Sequence, residues 1–561
     1  MKIFNLKKLA TWMLAAILTC GFVWTLSSCS TADNSSAPEE QPSTDQVVLM
    51  YYTVGGGDLD DDTEEDLGKF AVEQVKGNNN VRGFVQFKYS SKHHSSFSSS
   101  YKPSGEYGGV YRFEMNQNTL NPDFDGEISE AVAFVGDGVT KLGGSDFKMY
   151  DPDNLVQFIN WCMEQAPNAK AYVLAFGNHG GAYNITRDYN KSLTRGVMYD
   201  DNLPGGPCMT PTEISTALGK LTRKPDMIFF DCCLMSNLEV LGELQGKTNF
   251  VFASGHPVRQ SPLDELYKAL AGIAQSDNVS EGIKKYMSKY VTTVTHDMSN
   301  NAQNLSGGRI KRSGDYTLTD MSKIPDLFAS IKNVVDFLAK TDISGIDVDL
   351  FNDAASGCYH YVDNRPLYDV MDYLYQLKEK VFKDNAEFAT LVSQVATAVK
   401  ACHVAHDEYS YDKNGTNMEY GLSYSVTLGF TSSRLIFEDQ VKQYAPAEPQ
   451  GVIMYYIKAG KGTSEKPYYN DFLLENGTNL LATWIEGSQE MNYRTVNSYH
   501  AEGSGKHFSW ENTYRTLQFD KAAGWSQWMR KNPGMPFDNP PYDEEYTYVY
   551  EDPDYYDLIE E

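Results

Sequence analysis

The sequence predicts an α/β protein whose mostly parallel sheet is covered by helices on both faces. Three strand-like segments are apolar on both faces, namely AKAYVLAF from Ala169, MIFF from Met227 and NFVFAS from Asn249. Helical patterns separate them, and apolar strands that alternate with helices are typical of a parallel sheet buried on both sides. Ligands of such sheets bind beyond the carboxyl ends of the strands, so a functional site is expected there.

The first predicted elements precede these three strands. Residues 47–54 form an apolar strand, and the segment after it has helical spacing with acids at its start, which favour a helix N-terminus. Residues 82–89 form the next strand. The polar stretch SSKHHSSFSSSYKPSGEYGG is predicted to be an exposed excursion, and GVYRFEM returns from it as a further strand.

Two helix starts are indicated by residues that cap helices. Asp151 or Asp153 is expected to cap a helix that ends before Pro167, and Thr210 or Thr212 to cap the helix before MIFF. Aspartate and threonine suit this position because their oxygens accept hydrogen bonds from the free N–H groups of the first turn. The segment NLEVLGEL supplies the helix after MIFF, which completes the alternation of strands and helices.

The second half of the chain is predicted to be a mixed α+β region. Residues 322–340 and 366–382 have helical spacing, whereas 421–430 is strand-like. No internal repeat is evident. The predicted organisation is a signal peptide at 1–28, a flexible tether at 29–46, an α/β core at 47–300, a C-terminal part of the same region at 301–540, and an acidic tail at 541–561.

The charge of the chain excludes one class of partner. The formal net charge is −27, and a field of that sign repels nucleic acid and anionic lipid. We therefore expect no nucleic-acid partner. A negative net charge more often keeps a protein soluble than forms a recognition surface.

The N-terminus predicts export. Residues 1–8 are basic, 9–26 are almost wholly apolar, and LSSC ends the run with small residues before Cys29. A retained membrane span is the alternative, since the apolar stretch is long enough. LSSC resembles the bacterial lipoprotein box, which implies that Cys29 is acylated and that the mature chain is anchored to a membrane of the cell envelope. The polar segment after Cys29 would hold the folded part off that membrane.

The cysteines indicate neither a metal site nor a disulfide scaffold. The chain has eight, of which Cys20 falls in the signal peptide and Cys29 at the lipidation site. The other six are scattered and include no CxxC pair. No metal ligand is therefore predicted among them.

Two strand ends carry the candidate chemistry. One ends in FGNHGG, which contains His179 and Gly180, and the other in FFDCC, which ends at Cys233. In a parallel sheet both lie at one edge, where an imidazole and a helix N-terminus raise the thiolate fraction of a cysteine. The backbone N–H groups of Gly180 and Cys233 could then hold an oxyanion. Each motif alone has a plainer interpretation, a buried cysteine pair in the core and a histidine in a turn.

The motif HGG followed by D-x-C-L-M resembles the clostripain family of cysteine peptidases, relatives of caspases and gingipains. His179 precedes Cys233 by 54 residues, which is similar to the caspase-type spacing. Later segments, among them TLTDMSKIPDL, YHYVDNRPLYDVMDYL, GLSYSV and LQFDKAAGWSQWM, extend the resemblance. It implies a caspase-like αβα sandwich, a cysteine endopeptidase activity, and a protein or peptide substrate.

The resemblance implies a role for each residue of the second motif. Cys233 takes the nucleophile position, Cys232 the position of an alanine, and Asp231 the position of an acid that lines a pocket for Arg or Lys before the scissile bond. His179 is the catalytic base. Asp231 could instead cap the following helix. Basic specificity is open to question because FASGHPVRQSPLDEL lacks the acid that relatives carry soon after the serine.

The resemblance leaves three further expectations. Self-cleavage is expected after Lys191 or Arg195, which lie in a polar segment between His179 and Cys233. Calcium is implied for some relatives, and residues 55–66 are acidic enough to bind it, but they lack an EF-hand pattern and a solvated helix start is preferred. The alternative function is an inactive surface lipoprotein of the same fold that binds protein or glycan through some of its 38 tyrosines.

Overall fold

The computed structural model of the protein describes most of the chain between residues 44 and 531. The described residues are 44–55, 59–77, 80–89, 109–120, 126, 138–181, 196–200, 203, 207–256, 258, 261–305, 314–356, 367–409, 427–429, 472–473, 479–484, 491–496 and 517–531. The predicted signal peptide, Cys29, Lys191, Arg195 and the acidic tail lie outside them. Within the described part, no helix combines the length and the apolar character needed to cross a membrane.

The strands form one large sheet and two small ones. They are β1 (Thr44–Val54), β2 (Val81–Tyr89), β3 (Gly109–Glu114), β4 (Thr140–Gly143), β5 (Ala169–Gly177), β6 (Met227–Asp231), β7 (Phe250–Ala253), β8 (Gly314–Asp320), β9 (Leu367–Asp369), β10 (His403–Tyr409), β11 (Thr427–Gly429), β12 (Phe472–Leu473), β13 (Asn479–Trp484) and β14 (Met491–Val496). The large sheet has nine strands in the order β10-β8-β7-β6-β5-β1-β2-β3-β4. The small sheets pair β11 with β9, and β12 with β13 and β14.

The centre of the large sheet is parallel, as the sequence predicts. Strands β7, β6, β5, β1 and β2 all run in one direction. Antiparallel strands complete both edges, β8 and β10 on one side and β3 and β4 on the other. Strands β8 and β10 come from beyond residue 300, so the sheet continues past the predicted boundary between core and C-terminal region.

The helices fall on both faces of this sheet. They are α1 (Asp60–Lys76), α2 (Pro152–Gln165), α3 (Pro211–Gly219), α4 (Leu238–Leu244), α5 (Leu263–Ala274), α6 (Val279–Leu305), α7 (Ile324–Lys340), α8 (Val348–Ser356), α9 (Val370–Gln376), α10 (Ala386–Cys402), α11 (Gln518–Ala523) and α12 (Trp525–Lys531). A π-helical segment, Leu377–Val381, continues α9.

Alternate side chains of β1 enter two separate cores. Val48 and Met50 pack among the buried side chains of α2, α3, α4 and of α7 through α12. Val47 and Leu49 face the opposite way and pack with α1, α5 and α6. Burying each such side chain stabilises the fold by about 1.5–3 kcal/mol, which is why a strand apolar on both faces needs a helical layer on each side. The predicted αβα sandwich is confirmed.

The helix caps follow the predicted chemistry. Asp151 caps α2, and its side chain accepts a hydrogen bond from Asp153 N at 2.9 Å. Thr210 caps α3 in a capping box with Glu213, whose carboxylate accepts from Thr210 N at 2.9 Å. In each pair of candidates the first residue is the cap, because the second already lies inside the helix.

The register of the parallel strands brings three strand ends to one edge. Thr53 of β1 pairs with Gly177 of β5, and Gly177 pairs with Asp231 of β6. The segments that contain His179 and Cys233 therefore leave the sheet side by side. This is the edge at which the sequence places the candidate site.

Candidate active site

The backbone after β5 packs directly on the backbone that carries Cys233. Asn178 N donates to Asp231 O at 3.4 Å, which holds the two strand ends together. A Cβ at Gly180 would lie 2.6 Å from Cys233 N and closer still to the carbonyl oxygen of Cys233. Only a residue without a side chain fits this contact. The two N–H groups predicted to form the oxyanion hole thus belong to touching segments.

We expect Gly180→Ala to lower kcat/KM by about 100-fold, because the added methyl must push the Cys233 backbone away from its position and small misplacements of reacting groups have effects of that size. Gly345→Ala is the matched control, since a Cβ there meets nothing within 4 Å. Steady-state kinetics on a peptide substrate gives the measurement. Equal activities of the two variants would contradict the contact.

The Cys233 thiol is partly exposed and lies against the loop that follows β7. Val258 N donates to Cys233 Sγ at 3.2 Å, and Sγ donates to Val258 O at 3.4 Å. A backbone N–H beside the sulfur stabilises negative charge on it. The sequence contains no pattern that would have identified Val258, which lies 25 residues further along the chain.

Cys232 occupies a different environment from its neighbour. Its side chain is buried, and Cys232 Sγ donates to Phe176 O at 3.2 Å. Burial, with the nearby Asp231 carboxylate, raises the pKa of the Cys232 thiol well above its ordinary value. A thiol held neutral in the core is a poor nucleophile, which suits the alanine position that the family resemblance gives to Cys232.

The helix after the cysteines begins too far along the chain for its dipole to act on Cys233. Helix α4 starts at Leu238, with Asn237 as its cap, and Leu234 adopts a left-handed φ of 62° instead of a helical one. The effect of a helix dipole falls off within the first turn. Because four residues lie between Cys233 and the helix, the dipole does not stabilise the Cys233 thiolate. The expectation that a helix N-terminus directly follows Cys233 is wrong.

Asp231 is held by side chains from elsewhere in the sheet. Tyr51 donates its hydroxyl to Asp231 Oδ2 at 3.0 Å, and Ser261 donates to Oδ1 from its hydroxyl at 2.6 Å and from its backbone at 3.2 Å. Burial raises the pKa of Asp231 to about 6, although the hydrogen bonds from Ser261 and Tyr51 act in the opposite direction. The carboxylate does not cap the next helix, since Asn237 does so.

Sequence reasoning did not identify Tyr51 and Ser261 as part of the site. Tyr51 lies within the first predicted strand, where its alternation only indicates burial, and Ser261 lies in a loop with no distinctive pattern. Asp264 and Glu265, the acids near the end of FASGHPVRQSPLDEL, lie in the first turn of α5. Both contact Lys268, at 3.5 Å and 2.6 Å.

His179 lies beside Tyr199, with the two ring centroids 6.3 Å apart in an edge-to-face arrangement. Tyr199 follows the segment 182–195, which is outside the described residues. Gly181 N donates to Gly196 O at 3.0 Å, and Tyr199 N donates to Asn178 Oδ1 at 2.6 Å. Both ends of the segment that contains Lys191 and Arg195 therefore attach next to His179.

A metal-binding cluster is not found in the described part of the chain, where no group of three or more His, Cys, Asp or Glu side chains is arranged to hold an ion. Among the acids of residues 55–66, which were considered as calcium ligands, Asp60, Asp61 and Asp62 lie in the first turn of α1. Carboxylates there interact favourably with the positive end of the helix.

Comparison with known proteins agrees with the motif resemblance. A model of the clostripain family matches residues 126–531. The fold is similar to a secreted C11 cysteine protease from Bacteroides thetaiotaomicron, "iotapain", at 15% identity and a TM-score of 0.46, covering 71% of this chain and 96% of that one. An inactive zymogen C11 protease from Parabacteroides distasonis is similar at 13% identity and a TM-score of 0.41, covering 72% and 96%. No curated protein matches the sequence.

Proposed function

The chain belongs to the clostripain family and is a cysteine peptidase, and from this premise we propose that Cys233 is its nucleophile and His179 its acid–base partner. The observation that carries the proposal is the contact of Gly180 with the Cys233 backbone, which brings the two motifs together at one sheet edge. Membership of a peptidase family also favours an enzyme over the alternative of an inactive binding lipoprotein.

The proposed reaction follows from the groups at this edge. Cys233 Sγ, as the thiolate, attacks the peptide carbonyl, and the N–H groups of Gly180 and Cys233 hold the oxyanion. The C–N bond breaks as His179 delivers a proton to the leaving amine. Water, deprotonated by His179, then hydrolyses the thioester and restores the thiol. The mechanism needs no cofactor.

The proposed substrate is a protein or peptide with Arg or Lys before the cleaved bond. Asp231 supports this preference, because its carboxylate lies only two residues before the nucleophile. Its hydrogen bonds from Tyr51 and Ser261 fix the carboxylate in place, so a cationic side chain would meet a preorganised partner. The raised pKa makes that partner sensitive to pH.

A peptide library with varied residues before the cut tests this function. We expect cleavage after Arg or Lys, and we expect Asp231→Asn to weaken kcat/KM for an Arg peptide by about 30-fold or more, as for the loss of one partner of a buried charge pair. For the wild type, kcat/KM on the Arg peptide should fall as the pH drops through about 6, because the Asp231 carboxylate is protonated there.

The same assay with a peptide that has a neutral residue at that position separates Asp231 from other titrating groups. The ratio of kcat/KM for the Arg peptide to that for the neutral peptide should fall with pH in the wild type and stay flat in Asp231→Asn. A library cleaved without preference for a basic residue, or an equal pH dependence of the ratio in both proteins, would refute the assignment of Asp231.

Self-processing after Lys191 or Arg195 is part of the proposal. It is supported by the hydrogen bonds that attach both ends of segment 182–195 beside His179. The buried ion pair of Lys88 with Asp200 anchors the downstream end further. The two chains produced by a cut would stay associated, since β5 and β6 lie on opposite sides of the cut and remain paired in the sheet.

The proposed location is the cell envelope, with the peptidase exported and anchored through a lipid on Cys29. The support is the order of segments at the N-terminus: a basic segment, then an apolar segment, then small residues that end at Cys29. The negative net charge supports the proposal that nucleic acid is not a partner. Radiolabelled fatty acid incorporated into wild type and not into Cys29→Ala would test the anchor.

A further inference from the structure

The side chain of Asp315, on β8, is buried. The hydrogen bonds that its oxygen Oδ1 accepts all come from one three-residue turn. Asp315 Oδ1 accepts from Ser254 Oγ at 3.0 Å, Gly255 N at 3.0 Å, His256 N at 3.1 Å and His256 Nδ1 at 2.6 Å. Both Asp315 and His256 are almost completely buried. The other oxygen, Asp315 Oδ2, lies 4.0 Å from His406 Nδ1 of β10, so the hydrogen bonds of Oδ1 serve the turn and not the pairing of β8 with its neighbours.

The turn formed by Ser254, Gly255 and His256 supports the backbone after the nucleophile. Leu234 N donates to His256 O at 3.1 Å, and Ser236 N donates to Ser254 O at 2.8 Å. The sites of support are therefore the first and third residues after Cys233.

The supported backbone is strained. Leu234 has a φ of 62°, in the left-handed region that is uncommon for a residue with a side chain. Such a conformation is unfavourable and persists only when the surroundings enforce it. The hydrogen bond from Leu234 N to His256 O is such a constraint, and it is only as rigid as the turn that supplies the carbonyl.

The same loop reaches the sulfur itself. Val258, two residues after the turn, donates its N–H to Cys233 Sγ at 3.2 Å. Displacement of the turn would therefore move both the backbone that carries the thiol and a donor that contacts it. Burial raises the pKa of Asp315, but His256 and His406, together with the hydrogen bonds from His256 and Ser254, outweigh burial and lower the pKa, so the anchor is charged.

We propose that Asp315 is a positioning residue for the nucleophile: it fixes the turn of Ser254 to His256, which holds the strained backbone at Leu234 and so presents Cys233 Sγ to the substrate. This inference rests on the proposed role of Cys233. The inference gives β8, a strand at the antiparallel edge of the sheet, a role in catalysis. Neither of the two catalytic motifs lies on that strand.

The test compares variants of the full chain that are shown by circular dichroism to be folded at the assay temperature. Asp315→Ala should slow both kcat and the second-order rate of Cys233 alkylation by about 100-fold, because the thiol is misplaced, and KM should change by less than about threefold. Alkylation should still reach one label per chain. A partly unfolded sample would instead show incomplete labelling or labelling of several cysteines.

Two further variants separate positioning from a loss of stability. Asp315→Asn should recover both rates to within about tenfold of wild type, because its amide oxygen can still accept from the turn. Asp320→Ala removes another carboxylate of β8 at the opposite end of the strand, where it caps a turn at Ser322, and should behave as wild type. If Asp315→Ala does not fold, Ser254→Ala decides, and it should slow the same two rates with KM unchanged.

Three results would overturn the inference while the wild type is active and labelled at Cys233. They are wild-type rates in folded Asp315→Ala, an Asn variant as slow as the Ala variant, and wild-type rates in Ser254→Ala when Asp315→Ala does not fold. A wild type that neither cleaves peptides nor is labelled at Cys233 would refute the proposed nucleophile instead.

Discussion

Replacing Cys233 by alanine is expected to reduce kcat/KM by about 10⁴- to 10⁶-fold, the range seen when a catalytic nucleophile is removed. The thiol is the only group of the protein that forms a covalent bond to the acyl group in the proposed mechanism. Binding of the peptide should persist, because the alanine leaves Asp231 and the backbone at Gly180 in place. Steady-state hydrolysis of the best library peptide gives the measurement, and tight binding of the uncleaved peptide confirms that the variant is folded.

Cys232→Ala is the matched control, since it removes the adjacent thiol and leaves Cys233. The Cys232 sulfur is buried and hydrogen-bonded to Phe176 O, so we expect its removal to lower the free energy of unfolding by about 1 kcal/mol. The kcat/KM of this variant should stay close to that of the wild type. Denaturing electrophoresis supplies a second comparison. The Cys233→Ala chain should stay whole while wild type and Cys232→Ala are cut within 182–195. Loss of activity in Cys232→Ala with retention in Cys233→Ala would reverse the assignment.

Replacing His179 by alanine is expected to lower kcat by about 10³-fold, within the range for the loss of a general acid–base group. KM should change little, because His179 acts on the thiol and the leaving amine and not on the side chain bound near Asp231. Selective alkylation of Cys233 should slow as well, since the imidazole would no longer favour the thiolate. The measurement is the pair of kcat and alkylation rate on the same preparation.

His296→Ala is the control for this second experiment. His296 is exposed on α6, and its replacement should leave both rates at the wild-type value. A His179 variant with wild-type kcat would contradict its role as the acid–base partner. A variant in which alkylation is unchanged but kcat falls would restrict His179 to protonation of the leaving group.

The parts of the fold that the sequence predicted well are those governed by local periodicity. Apolar runs predicted β1, β5, β6 and β7, and helical spacing with capping residues predicted α2 and α3, down to Asp151 and Thr210 as caps. Strands β8 and β10 were not predicted. Polar residues such as Asp315 and His406 interrupt their apolar pattern, and in the fold these side chains meet each other across the two strands.

The sequence by itself determined which residues carry the proposed chemistry, because each motif follows an apolar strand and the carboxyl ends of parallel strands meet at one edge, where Gly177 pairs with Asp231. Only the tertiary structure decided which groups tune that chemistry. Tyr51 reaches Asp231 across 180 residues, and Asp315 reaches His256 across 59. Such contacts join segments distant in the chain, where local periodicity carries no information about which side chains will meet.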